Sequence, residues 1–100
     1  MKMLKSLGII ETKGLPAAFE AADAASKASN IDLIGYEKTK GGGWITVKVV
    51  GDLGSVQAGI NAAVAGVNRM NCMISYSIIT RPVEEIDRMI GNAETRGYDE

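Results

Sequence analysis

What this chain can fold into is limited first by the order in which its hydrophobic period changes. Leu4, Leu7, Ile9 and Ile10 mark a strand over residues 4–12 that stops at Lys13-Gly14. Pro16 stands where a first helical turn tolerates it, and Leu15, Ala18, Phe19, Ala22 and Ala25 then recur at helical spacing up to Ser29. Asn30 closes that helix. Residues 31–38 read as a second strand, with Ile31, Leu33 and Gly35 on one face and Ile34 and Tyr36 on the other. Thr39-Lys40-Gly41-Gly42-Gly43 is the strongest breaker in the chain, and beyond it Trp44, Ile45, Val47 and Val49 alternate as far as Gly51, which predicts a hairpin. Asp52 is placed to cap a second helix whose apolar stripe is Val56, Ile60, Ala63, Val64 and Val67, closed by residues 68–71. Residues 72–80 predict a fourth strand with Cys72, Ile74, Tyr76 and Ile78 facing one way, and Pro82 opens a short helix carrying Val83, Ile86, Met89 and Ile90.

That order, βαββαβ followed by a terminal helix, is an α+β pattern of the split βαβ, ferredoxin-like kind. One hundred residues suffice for one domain, over residues 1–91, with a polar tail over 92–100. A chain of this size buries only about two-thirds of its unfolded surface, so association adds to its stability. Eleven basic against twelve acidic side chains leave a net charge of −1, which excludes nucleic-acid binding through an overall basic field. Cys72 is the only cysteine and there is no histidine, so an internal disulfide, the usual zinc sites and a histidine base are all excluded. The N-terminal residues lack a continuous apolar segment of the signal-peptide kind, and no apolar run approaches the length of a membrane span. These absences favour a cytoplasmic, structural part over a catalyst, with no cofactor and no metal.

The fold class hosts unrelated functions, so specific residues must decide among them. A heavy-metal carrier of this pattern needs a Cys-x-x-Cys pair in its first loop, and Thr12-Lys13-Gly14-Leu15 has no thiol. An RNA-recognition sheet stacks bases on aromatic residues, and the first and third strands offer only Trp44. The triple glycine runs into a strand rather than a helix and lacks the Gly-Lys-Ser/Thr ending of a phosphate-binding loop. An acyl-phosphate hydrolase needs an arginine near the first loop, where this chain has Lys13 and no arginine before Arg69. A small regulatory domain binding a nucleotide or amino acid at the glycine loop is the alternative to a structural role. Taken alone, Lys27 and Arg81 are solvated charges, Glu11, Glu20 and Asp23 belong to polar faces, and Cys72 is a small hydrophobe.

The segments Leu7 to Leu15, Ala21 to Ala24, Lys27 to Asn30, Gly35 to Lys38, Val49 to Gly54 and Arg81-Pro82, in this order over residues 4–90, resemble the hexamer-forming bacterial microcompartment shell proteins. The resemblance implies a flat cyclic hexamer that tiles a protein shell in the cytoplasm. It implies edge contacts between tiles at Lys27, Asn30 and Arg81. It also implies a central pore lined by Thr39, Lys40, Gly41, Gly42 and Gly43. The implied partners are further copies, other shell proteins of the compartment, enclosed cargo enzymes, and small polar or anionic metabolites passing the pore, with no nucleic acid and no lipid membrane. The reading leans towards a catabolic compartment rather than a carboxysome.

The loop departs from the family's common Lys-aliphatic-Gly-Ser-Gly pattern by one extra residue and an extra lysine, which makes Gly41 and Gly42 the expected narrowest points. Six Lys40 ammonium groups spaced ~10 Å apart would repel by roughly 1.5 kcal/mol per neighbouring pair at an effective dielectric near 20, before salt screening. Such a ring favours anions over cations.

Overall fold

Each breaker in the sequence ends an element. The computed structural model describes residues 3–38 and 42–90. Within them β1 (Leu4–Lys13), α1 (Leu15–Ala28), β2 (Asp32–Lys38), β3 (Trp44–Gly51), α2 (Leu53–Arg69), β4 (Met73–Pro82) and α3 (Val83–Ile90) follow in the expected order. Pro16 lies in the first turn of α1. The Asp52 carboxylate accepts from the Ser55 N–H at 2.8 Å, the capping bond the sequence predicts for α2. The α2 helix ends at Met70, and Asn71 then takes a positive φ of 58°, a conformation that asparagine tolerates.

The four strands form one antiparallel sheet in the order β2-β3-β1-β4. Strand side chains alternate between the two faces, and the faces are covered differently. On one face α1 and α2 pack over Ile10, Val47 and Val49, contributing Val56, Ile60 and Val67 together with the buried alanines 17, 18, 21, 22, 25 and 63. These small residues let the helices approach: a Cβ on Gly59 would stand 3.5 Å from the Ala25 Cβ and 2.9 Å from the Ser29 hydroxyl. On the other face Ile86 of α3 is buried against Leu7 and Val50, with Ile9, Ile34, Ile79 and Ile90 around them. Polar groups on the sheet are matched. The Ser6 and Thr80 hydroxyls share a hydrogen bond of 2.7 Å, and Lys48, only 8% exposed, holds Glu37 at 2.9 Å.

Two expectations about strand faces are corrected. In β2, Leu33 pairs with Val49 but Gly35 pairs with Lys48, so Ile34 is an extra residue at a bulge. The bulge returns Tyr36 to the face of Leu33, against the α1 and α2 core, and leaves Ile34 on the α3 side. Gly35, with φ 153°, supplies the backbone freedom such a bulge uses. In β4, Glu11 pairs with Ser75 and Thr12 with Met73, so Ile74 is skipped and Met73 takes the core-facing place that simple alternation gives to Ile74.

Candidate functional site

Antiparallel pairing divides the sheet into two ends, and the residues singled out from the sequence fall at both. The first end is the β2–β3 connection. Lys38 pairs with Ile45, Ile45 with Thr12, and Thr12 with Met73, so this connection lies beside the β1–α1 and α2–β4 turns. The Gly14 N–H donates to the Gly43 carbonyl at 3.0 Å, and the Lys13 N–H donates to the Cys72 carbonyl at 2.9 Å, tying the three turns together. Thr12, fully buried, aims its hydroxyl at the Gly14 carbonyl at 3.3 Å and lies 3.5 Å from that of Ile45.

Thr39, Lys40 and Gly41 lie outside the described residues. The two remaining glycines of the loop differ in what they require. Gly43 has φ 69° with open space around its Cβ position, so its own backbone calls for glycine. A Cβ on Gly42 would meet only the Trp44 ring, at 3.6 Å, an ordinary contact. Among the described residues nothing therefore excludes a side chain at Gly42.

The second end holds Lys27, Asn30 and Arg81. β1 runs away from this end and α1 returns to it, so the last turn of α1 stands there with Lys27. The Lys27 side chain is 76% exposed, and its ammonium lies 2.9 Å from the Asp23 carboxylate one turn back. That hydrogen bond and then the attraction of the same carboxylate raise the Lys27 pKa above its ordinary 10.5, so the charge persists across neutral pH. Asn30 is exposed, and its carbonyl would lie 3.4 Å from a Cβ on Gly51, the last residue of β3. Arg81, exposed at the end of β4, donates to the carbonyl of the preceding residue, Thr80, at 2.7 Å and pairs across the sheet with Lys5. Lys5 in turn reaches Asp87 of α3 at 3.2 Å.

The three candidate residues thus share one end of the sheet without forming one cluster, since β2 and β4 are its opposite edges, three strand spacings or about 14 Å apart. The Asp23–Lys27 pair was legible as an i, i+4 spacing, although the sequence reading left Asp23 on a polar face. Among the described residues no group of three or more acidic, cysteine or histidine side chains could hold a metal ion, and no helix is long and apolar enough to cross a membrane.

Known proteins match this chain in both sequence and fold. The BMC domain matches residues 6–82. The chain belongs to the BMC-domain family. It is 40% identical over 84 residues to the bacterial microcompartment shell protein PduK of Citrobacter freundii, covering 84% of this chain and 54% of that protein. It is 44% identical over 87 residues to the carboxysome shell protein CcmK2 of Synechocystis, covering 85% of this chain and 84% of that protein. A crystal structure of a microcompartments protein from Desulfitobacterium hafniense superposes with a TM-score of 0.75 at 30% identity, covering 88% of this chain and 49% of that one. The chain therefore spans about half the length of PduK and of the solved protein, and most of CcmK2. The role of this BMC-domain protein is structural, in the shell of a bacterial microcompartment, and not enzymatic.

Proposed function

We propose that six copies of this chain close into a flat ring of ferredoxin-like subunits, and that such rings tile a microcompartment shell. The strand order β2-β3-β1-β4 supports the ferredoxin-like arrangement, with residues 1–91 as the single shell domain and 92–100 as a polar tail. The β2–β3 loop, Thr39, Lys40, Gly41, Gly42 and Gly43, surrounds the six-fold axis and lines a pore for small polar or anionic metabolites. Lys27, Asn30 and Arg81 make the contacts between tiles, with further rings or with other shell proteins of the compartment, around the cargo enzymes it encloses.

The observation that carries this reading is the separation of the two residue sets. Gly43 and Gly51 bracket β3, so the glycine loop and the Lys27–Arg81 end are about 23–26 Å apart along the strands. A tile needs that layout, with one end of the sheet at its centre and the other at its rim. Gly42 adds support, because the described residues of its own chain leave room for a side chain that neighbouring copies at an axis would exclude.

Size-exclusion chromatography followed by negative-stain electron microscopy tests the reading. The protein is expected to elute as a hexamer and to form sheets or tubes of six-fold tiles. Lys27→Ala is expected to keep the hexamer and lose the sheets; a monomeric wild type, or normal sheets from Lys27→Ala, refutes the corresponding assignment.

A further inference from the structure

Along the β2 edge, between α1 and the sheet, runs an open groove of about 340 Å³ lined by Phe19, Ala22, Asp23, Ser26, Leu33 and Tyr36. Phe19 is half exposed, and its ring meets that of Tyr36 edge to face at a centroid distance of 5.3 Å. On the opposite edge of the sheet, Tyr76 of β4 is 56% exposed. The register joins the two edges. Tyr36 pairs with Val47, Val47 with Ile10, and Ile10 with Tyr76, so these four residues form one row across the sheet. Directly paired residues project from the same face, and Ile10, Val47 and Tyr36 all belong to the core under α1 and α2. Tyr36 and Tyr76 therefore sit on the face covered by α1 and α2, at the same level along the strands, on opposite edges.

This matters in a ring. A cyclic interface is heterologous: one flank of each copy meets the other flank of the next, and rotation about the axis joins points at equal radius. The inference rests on the ring reading above, in which strands run from the axis to the rim. A row across the sheet is then a line of roughly constant radius, and its two ends meet at the boundary between copies. We infer that Tyr76 of one copy fills the Phe19–Tyr36 groove of the next copy and anchors the interface between subunits of the hexamer.

Area and chemistry agree with this occupant. A flank of about ten strand residues at ~3.3 Å each, and about 20 Å deep through helix and sheet, offers on the order of 650 Å². A standard stable interface uses about 800 Å² per partner. The whole flank is then needed to reach the lower end of that class, about 600 Å² per partner, and the Tyr36–Tyr76 row crosses β3 near its middle, where aromatic anchors concentrate. The phenol ring supplies apolar area, and Asp23 and Ser26 on the groove give its hydroxyl a partner.

Cross-linking tests the inference. In a Cys72→Ser background, the double variant Phe19→Cys, Tyr76→Cys is oxidised mildly and run on a denaturing gel, alongside native mass spectrometry of the unmodified protein. Phe19 meets Tyr36 on the β2 edge and Tyr76 stands on the β4 edge, which lies three strand spacings or about 14 Å from β2, beyond the ~7 Å limit for a disulfide, so any bond joins copies. A covalent ladder up to six chains from the double variant, absent from either single variant, is the expected result. A native hexamer without the ladder overturns this interface and leaves the ring standing; a chain that is not hexameric overturns both. Tyr76→Ala should raise the concentration needed for assembly at least about tenfold, with Tyr76→Phe staying within about threefold. Since Tyr76 is exposed in the single chain, circular dichroism should show both variants folded, and wild-type assembly by Tyr76→Ala overturns the inference.

Discussion

Replacing Gly8 by alanine sets two effects of opposite sign against each other. Gly8 lies in β1, paired with Val49 on one side and Ile78 on the other, beneath α2. Glycine in a strand costs conformational entropy, so alanine at an unstrained position gains about 0.4–1 kcal/mol through the unfolded state. Against that gain, the new Cβ would stand 2.9 Å from a methyl of Val49, 2.9 Å from a methyl of Val56 and 3.0 Å from the end of Ile60. All three neighbours are 1% exposed or less, and the two valines are stiff at χ1, so only the Ile60 tip can turn aside. Overpacking of this kind costs about 1–3 kcal/mol, and two stiff, fully buried valines place this site in the upper half of that range, leaving a net loss of about 1–2.5 kcal/mol. For a domain of this length that lowers the melting temperature by on the order of 10 °C. Thermal and urea unfolding at one fixed protein concentration measure it, because the proposed assembly would also contribute to apparent stability. Val56→Ala alone should cost about 1–3 kcal/mol through lost packing. Combined with Gly8→Ala it should cost less than the sum, since the smaller residue vacates the space the new methyl needs. A neutral or stabilising Gly8→Ala would show that the close approach of α2 is not what keeps glycine there.

Asp52→Ala removes the cap of α2. The Ser55 N–H and hydroxyl hold the Asp52 carboxyl below its ordinary 3.8, so its contribution is present above that value and is lost as pH falls through the lower folded pKa. The gap in melting temperature between wild type and Asp52→Ala should therefore be constant near neutrality and close in acid; a gap that widens in acid refutes the cap. Lys48→Met removes the ammonium 2.9 Å from Glu37, where the side chains are 10% and 19% exposed, and should cost about 1–3 kcal/mol, more than a surface pair. The double variant with Glu37→Gln should recover part of the loss in the same unfolding assay. At the proposed pore, Lys40→Glu should reverse the charge preference of conductance across reconstituted layers, and an unchanged preference would remove Lys40 from the opening.

The element order was legible because each boundary is local: Lys13-Gly14, Asn30, the glycine loop, Asp52 and Pro82 act through their own backbone preferences or caps. Which way β2 and β4 face was not legible beyond their bulges, because pairing partners decide where an extra residue is accommodated. Gly35 within the β2 pattern was the available signal, since a glycine inside a strand often marks such a bulge. Nor did the periodicity say that α3 covers the face opposite α1 and α2, since an amphipathic helix reports that it has a buried side and not against what. For the candidate site the obstacle differs. Lys27 and Arg81 are exposed within one chain, and hydrophobic periodicity registers burial inside a chain, not contact between copies. Only resemblance singled them out, and only the register showed that they share an end of the sheet.

The distribution of aromatic residues points the same way as the register. The chain has five, in one hundred residues. Phe19, Trp44 and Tyr76 are 39–56% exposed, Tyr36 is partly buried at the groove, and the fifth, Tyr98, lies outside the described residues. The buried core is instead valine, isoleucine, leucine and alanine, with α1 contributing five buried alanines. Aromatic side chains bury the most apolar area per residue, so a small domain that must stabilise itself alone would be expected to place them inside. Here the interior is completed by small residues packed closely, and the large rings stand at the flanks and beside the glycine loop. Both are boundaries that a cyclic arrangement of copies would cover, and aromatic residues are enriched in such interfaces. Alanine at Tyr76 and alanine at Gly8 should therefore act at different levels of structure. Truncating Tyr76 leaves the folded chain nearly unchanged and weakens the proposed ring, whereas filling Gly8 lowers the stability of the chain itself.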